Sequence, residues 1–323
     1  MSAAAASLRR KSINLPVALI LCSALIYSIV ALATEQDAQL SWAGVMGLLQ
    51  RMVALGITAI GQTLVLLVGS IDLSVANLIS LAAILAGFVM HGSSAAIALG
   101  IAAAILCGLV VGLINGVLVA VLAVSPLIAT LGTGLVLQGV LSTAYESLPG
   151  HAPPSFRILA YGGVFGIPFA LILLAVITAA TWYVLRRTAI GYRLYGVGGN
   201  AQTARLAGIR TRRYVIGAHV AASIAAAVAG LYLVSWLGTG TPWMGRDGGY
   251  DLGSVAVVVI GGTLLSGGRG GVAGTIAGVF VFATIDAVFN MLQLNPFLAQ
   301  ILRGVIVVTA VAVYTVRGKA HTA

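Results

Sequence analysis

The sequence predicts an all-α fold: a polytopic transmembrane helix bundle of about ten spans, with broken or re-entrant segments and two pseudo-related halves. Composition makes the first case. Of 323 residues 60% are hydrophobic and 7% charged, with a mean hydropathy of +1.10, against about 25% charged in a soluble domain. The run from Leu73 to Tyr145 holds no Asp, Glu, Lys or Arg, which at about 20 apolar residues per crossing suffices for about three spans. Forty-one glycines and abundant alanine suit helices that pack by close backbone approach, because burial from water cannot drive association inside lipid.

Taken in order, the first apolar segment, Leu15 to Thr34, follows the basic cluster Arg9, Arg10 and Lys11. It is longer than a signal-peptide core, lacks a small-x-small cleavage site and precedes many further spans, so it reads as a retained helix. Apolar runs and their punctuation then place helices near 14–34, 43–68, 73–90, 94–122, 125–145, 164–186, 214–237, 252–267, 271–293 and 296–316. The second carries Arg51, and the eighth is short and rich in glycine. An even number of spans puts both termini on one side. The stretch Glu146 to Gly163, with Pro149, Pro153 and Pro154, reads as an external loop with a short surface helix. Gly238 to Asp251 reads as a second external segment, with Trp243 at the headgroup level.

The net charge of +10 follows topology rather than nucleic-acid binding. Arg9, Arg10, Lys11, Arg186, Arg187, Arg193, Arg205, Arg210, Arg212, Arg213, Arg269, Arg317 and Lys319 fall in the loops of one side. Glu35, Asp37, Glu146, Asp247 and Asp251 fall on the other. By the positive-inside rule the first side is cytoplasmic. That gives a single transmembrane domain over 1–323, with cytoplasmic tails at 1–13 and 317–323 and a large cytoplasmic loop at 187–213.

Little suggests catalysis. Cys22 and Cys107 lie within apolar runs, where packing explains them, and His91, His151, His219 and His321 show no metal-ligand spacing. The glycine-rich stretch Gly261 to Gly271 lacks the Gly-Lys-Ser/Thr ending of a phosphate loop, and the lysines are Lys11 and Lys319 alone. It reads instead as a tight helix–loop–helix turn with Arg269 on the cytoplasmic surface. The chain is therefore expected to bind no cofactor and to have no enzyme activity of its own.

Two breaks interrupt the apolar runs. Gly69-Ser70-Ile71-Asp72-Leu73-Ser74 places a carboxylate and two hydroxyls before a helix expected near Leu73. Capping of that helix by Asp72 or Ser70 is the favoured reading, ahead of direct solute contact. The second break, around Gly261, Gly262, Thr263 and Gly267, echoes the first; transporters built from repeats show such pairs, and glycine-rich spans also look alike by composition. Polar groups within spans are few: Gln62, Asn77, Asn115, Gln138, Asp286, Asn290, Gln300 and Arg303. Asp286 and Arg303, on neighbouring spans, are expected to form a structural ion pair rather than a proton relay. Each amide either lines a pathway or bonds helix to helix, the second being favoured for any one of them.

Several segments together resemble the permease subunits of ribose, xylose and arabinose type ABC importers, related more distantly to branched-chain amino acid permeases. They are Gly69-Ser-Ile-Asp-Leu-Ser-Val75, Asn115-Gly-Val-Leu-Val119, Ser125-Pro-Leu-Ile-Ala-Thr-Leu-Gly-Thr133, Gly198-Gly-Asn200 with Ala204-Arg-Leu-Ala-Gly-Ile209, and Val259-Ile-Gly-Gly-Thr263 with Ser266-Gly-Gly-Arg-Gly270. The resemblance covers about Gly56 to Val316. It implies a second permease subunit, identical or not, two ATP-binding subunits or one tandem ATPase that hold ATP and Mg, and a periplasmic solute-binding protein. The location it implies is the bacterial inner membrane.

It also implies a cytoplasmic coupling helix docking on the ATPase, which here matches Gly199, Asn200, Ala204, Arg205, Leu206 and Gly208. Gly69, Asp72, Ser74, Gly262 and Gly267 become helix-break or gate positions, and Gln62, Asn77, Asn115, Gln138 and Asn290 possible pathway groups. Ser70 stands where the family often has a second small glycine, and Ala207-Gly208-Ile209 where Ser-Gly-Ile is common. The solute would be a pentose- or hexose-like sugar or a related small polar molecule. The rival reading is an ion-coupled secondary transporter with broken helices, using Asp72 or Asp286; a channel would need rings of carbonyls or charges that the sequence does not show.

Overall fold

The computed structural model describes residues 14–148 and 150–319; Arg9, Arg10, Lys11, Pro149 and His321 lie outside them, and Arg317 and Lys319 are described in backbone alone. The chain is helical nearly throughout. In order come α1 (Leu15–Ala33), α2 (Trp42–Arg51), α3 (Val53–Leu67), α4 (Val75–Met90), α5 (Ile97–Ala120), α6 (Pro126–Ala144) and the single turn α7 (Ile158–Tyr161). A two-residue hairpin, β1 (Gly163–Val164) and β2 (Ile167–Pro168), leads into α8 (Phe169–Arg187), α9 (Ala189–Gly199), α10 (Ala201–Leu206) and α11 (Thr211–Leu237). Finally come α12 (Met244–Asp247), α13 (Tyr250–Ile260), α14 (Val272–Met291) and α15 (Pro296–Lys319).

Local chemistry sets many ends. Proline opens α1 and α6, where its missing N–H costs nothing and its fixed φ suits the first turn. The Ser41 hydroxyl accepts from the Gly44 amide to start α2. Gly238, at φ +85°, ends α11 in the left-handed region that glycine enters without strain.

α11 is the centre of the bundle, packed between α3, α4 and α5. Gly108, Gly112 and Gly116 recur every four residues on α5 and so share one face. Added Cβ atoms there would come within 2.8 Å of Ser223 O, 2.6 Å of Val220 Cα and 2.8 Å of Ile216 Cα. The two backbones meet along a glycine stripe, as close packing in lipid favours.

Helix is present in all ten expected regions, but length divides them. Among the described residues six helices are long and apolar enough to cross a membrane, or seven when α2 and α3, bent by 42°, count as one broken span. The helix α4 and the stretch Phe297–Ile306 of α15 are shorter apolar pieces. At 11 residues, α13 rises about 16 Å, roughly half the hydrocarbon thickness.

The reason lies in the segment before α13, Gly238 to Asp251, which packs along α4 instead of forming a free loop. A Cβ on Gly240 would come within 2.6 Å of the Ile84 amide, and one on Gly245 would collide with the Ala76 carbonyl. The segment therefore runs down α4 from Ile84 to its first turn, where the Gly245 amide donates to Ser80 Oγ at 3.0 Å. Trp243 stays exposed, its ring 6.4 Å from that of Tyr145. The 187–213 segment is mostly helix, as α9 and α10, and α15 continues through the expected tail to Lys319.

Candidate functional site

Two chain breaks and the α9–α10 segment meet at one place. The first break ends α3 with a left-handed Gly69 at φ +77°; its amide donates to Leu66 O at 2.9 Å and the Ser70 amide to Val65 O at 3.0 Å. The second ends α13 in the same way: Gly262, at φ +93°, donates to Val259 O at 2.9 Å and Thr263 to Val258 O at 3.1 Å. Both are Schellman endings, which need a residue tolerant of positive φ and satisfy otherwise free carbonyls. They also touch. The Gly268 amide donates to Leu67 O at 3.0 Å, and a Cβ on Gly267 would come within 2.8 Å of the Gly69 amide.

The C-terminal turn of α9 closes this junction. A Cβ on Gly198 would collide with the Leu67 carbonyl and come within 2.6 Å of the Gly268 amide. Tyr195, one turn earlier, donates its hydroxyl to Gly270 O at 2.9 Å. Burial pushes the Tyr195 phenol up from its ordinary pKa, and the Arg186 guanidinium partly opposes that shift. A cavity of about 320 Å³ opens beside it, between Asn14, Trp182, Arg186 and the start of α14.

From the junction α10 projects outward. The Asn200 side chain accepts from the Gln202 and Thr203 amides at 2.9 Å each, capping the helix at Ala201. Gly208, at φ +79°, ends it, with the Ile209 amide donating to Ala204 O at 3.0 Å. Ala204 is buried while Arg205 is exposed, and Leu206 is 84% exposed. A short helix stands among the residues that the resemblance matched to a coupling helix. Gly199 lies in the last turn of α9, and a Cβ there meets nothing within 4 Å. The tight glycine is Gly198.

Asp72 does not cap α4, because the helix begins two residues later than expected, at Val75. Instead its Oδ1 accepts from the Ser74 amide at 2.9 Å and the Ser74 hydroxyl at 2.6 Å. Its Oδ2 lies 3.4 Å from His219 Nδ1 on α11, and His219 Nε2 lies 2.8 Å from Ser70 Oγ. Asn115 on α5 donates to Ser74 Oγ at 2.8 Å. The Gln62 amide, in the orientation that satisfies both its ends, donates to Asp72 O and accepts from Asp72 N, each at 3.2 Å. Asp72, His219, Ser74, Asn115 and Gln62 are all at 0% exposure and Ser70 at 3%.

A buried carboxylate without such partners would be too costly to keep. Sequence reasoning missed His219, which carries no spacing signal; its one trace was a histidine within an apolar run. The order Ser70–His219–Asp72 has the connectivity of a nucleophilic triad. No residue of it lines the 320 Å³ cavity or a second one of 200 Å³ near Thr239, and its partners make it a fastening of the break.

The remaining candidates do not gather. Asn77 donates to Gly134 O at 2.8 Å, tying α4 to α6; Gln138 is half-buried on α6 and Asn290 exposed on α14. Thus Gln62 and Asn115 serve the Asp72 cluster, not a row shared with Asn77, Gln138 and Asn290. Arg303 Nη2 lies 2.8 Å from Asp286 Oδ1, the ion pair expected between neighbouring spans. His91 and His151, far apart in sequence, bring their ring centroids to 6.1 Å, and among the described residues no group of three or more His, Cys, Asp or Glu could hold a metal ion.

The chain matches the family model described as the branched-chain amino acid transport system / permease component over residues 44–311. It is 34% identical to the ribose import permease protein RbsC of Bacillus subtilis (strain 168), covering 83% of each chain. To the probable ABC transporter permease protein YphD of Escherichia coli (strain K12) it is 38% identical, covering 82% of this chain and 80% of that one. To the L-arabinose transport system permease protein AraH of the same strain it is 34% identical, covering 79% and 77%. No solved structure matches.

Proposed function

The chain belongs to the branched-chain amino acid transport system / permease component family, among the permeases of sugar ABC importers, and from that premise we propose that it forms the translocation path for a pentose- or hexose-like sugar or similar small polar solute. It is a multi-pass membrane protein and not an enzyme. ATP and Mg reside on two ATP-binding subunits or one tandem ATPase, a second permease subunit completes the path, and a periplasmic binding protein delivers the solute.

The observation that carries this reading is the junction of α9 with both breaks. The helix α10 is short, exposed and ends in Leu206, an apolar side chain that favours a partner surface. Directly behind it Gly198 lies against Leu67 and Gly268. A partner that pushes α10 therefore acts on both breaks at once. Loops 187–213 and 261–271 lie on the cytoplasmic side, and both termini with them. The matching Schellman endings at Gly69 and Gly262 support two pseudo-related halves. Counting the short α4, the re-entrant segment with α13, and α15 as crossings restores ten spans over one domain.

The test is solute uptake into proteoliposomes holding the chain with its genomically neighbouring ATPase and binding protein, comparing ATP with an imposed ion gradient. Uptake that requires ATP and the binding protein supports the reading. Gradient-driven uptake by the chain alone sinks it and favours an ion-coupled secondary transporter using Asp72 or Asp286.

A further inference from the structure

We propose that His219 is the positioning residue through which movement of α10 reaches the 69–74 break, an inference that rests on the coupling role proposed for α10. The helix α10 passes into α11 within four residues, and this connection is bonded: Ile209 N donates to Ala204 O at 3.0 Å and Thr211 N to Ile209 O at 2.9 Å. His219 stands eight residues into α11, about 12 Å along its axis. A displacement at α10 is thus delivered to the level of Asp72 by a single rod.

What the rod grips there is decided by chemistry. Against α5 and α3 it meets Gly112, Gly116 and Gly61, which approach Val220, Ile216 and Ala222 backbone to backbone. Such contacts are close but non-directional, and small residues offer no knob to catch during a slide. His219 is different. Its two ring nitrogens reach Ser70 Oγ at 2.8 Å and Asp72 Oδ2 at 3.4 Å, the two flanks of Ile71. In the neutral tautomer that carries its proton on Nδ1, His219 donates to the Asp72 carboxylate and accepts from the Ser70 hydroxyl at Nε2.

Neither bond can be exchanged for water, since His219, Asp72 and Ser70 are sealed at 0%, 0% and 3% exposure. Breaking them leaves polar groups unpaired in the interior, so the break follows the helix rather than release it. Gln62 on α3 and Asn115 on α5 hold the same segment from other sides. Of the cluster's side chains His219 alone belongs to α11, the helix that continues from the lever.

The test compares His219→Leu, His219→Gln and Ser70→Ala in the full complex in proteoliposomes, with D-ribose and L-arabinose as probes and ATP hydrolysis read in parallel. In His219→Leu hydrolysis stays within about twofold while uptake per ATP falls about tenfold or more. His219→Gln, which keeps a donor and an acceptor, restores most of that ratio. An unchanged ratio in His219→Leu, or a glutamine variant no better than leucine, overturns the proposal. If His219→Leu does not assemble, Ser70→Ala decides by the same ratio. Failure of the underlying reading looks different: the unmodified complex then shows no ATP-dependent uptake, or Arg205→Ala leaves it intact.

Discussion

The amide of Gly268 donates to the carbonyl of Leu67 at 3.0 Å, so that the turn after α13 rests on the last turn of α3. Gly198 is pressed against the same carbonyl, and three glycine-rich segments remote in sequence share one contact.

The contact separates two adjacent glycines. Gly198→Ala forces the α9 end away from Leu67 and should lower both the detergent melting temperature and ATP-dependent uptake, the latter by about tenfold. Gly199→Ala adds a Cβ into open space and should leave both near normal. Equal effects from the two would contradict the junction geometry.

The outward face of α10 can be tested apart from folding. Because Arg205 and Leu206 are exposed, Leu206→Asp should leave the melting temperature within about 1 °C while weakening ATPase capture at least about tenfold, a hot-spot loss of order 1.4 kcal/mol or more. Pull-down with purified ATPase, read beside a thermal scan, distinguishes docking from stability.

Gln62 braces the backbone of Asp72 through two hydrogen bonds. Gln62→Leu leaves both backbone groups unpaired in a sealed site and should destabilise the chain by about 1–3 kcal/mol. Gln62→Glu should be no better, since an ionised carboxylate cannot donate to Asp72 O and protonating it to restore the donor costs stability near neutral pH. Denaturant or thermal unfolding in detergent measures both.

The glycine stripe of α5 makes a steric prediction. Gly112→Val places branched atoms against Val220 Cα, already 2.6 Å from a bare Cβ, and should cost about 1–3 kcal/mol by overpacking. Gly132→Val on α6, where a Cβ meets nothing within 4 Å, serves as the control in the same unfolding assay.

Tyr195 gives a pH dependence. Its folded pKa is raised above the unfolded value near 10, so the protonated, donating form is favoured by folding. The stability it contributes is complete below pH 10 and is lost as pH rises through the folded value. Tyr195→Phe should remove that alkaline loss and weaken the Gly270 contact by about 1 kcal/mol, seen in melting curves between pH 8 and 11.

Much of this was legible in sequence for physical reasons. Apolar runs, a Gly-Gly-Asn turn at 198–200 and a Gly208 stop are local signals, and α10 falls between the last two, although the Asn200 cap itself shows only in the structure. The Asp286–Arg303 pair followed from charge scarcity. Three things were not local. The descent of 238–251 along α4 depends on Gly240 and Gly245 fitting against Ile84 and Ala76, which no hydropathy window registers. The start of α4 at Val75 rather than Leu73 reflects Asp72 turning toward His219, on a helix far along the chain. Gln62 and Asn115 could be read either as pathway groups or, as favoured, as helix-to-helix bonds, and which partners they take depends on residues remote in sequence.

The fit of Gly240 and Gly245 against α4 also bears on how the chain is made. Residues before α13 have few helical bonds of their own, and α13 alone is half a crossing, so this stretch leaving the insertion machinery would expose unpaired backbone to lipid. It becomes acceptable to the bilayer only when α4, synthesised about 160 residues earlier, is already in place to receive it. Ala76 and Ser80, against which Gly245 lies, therefore support a stretch far along the chain, and an alteration at either is expected to lower the amount of inserted protein as well as its transport.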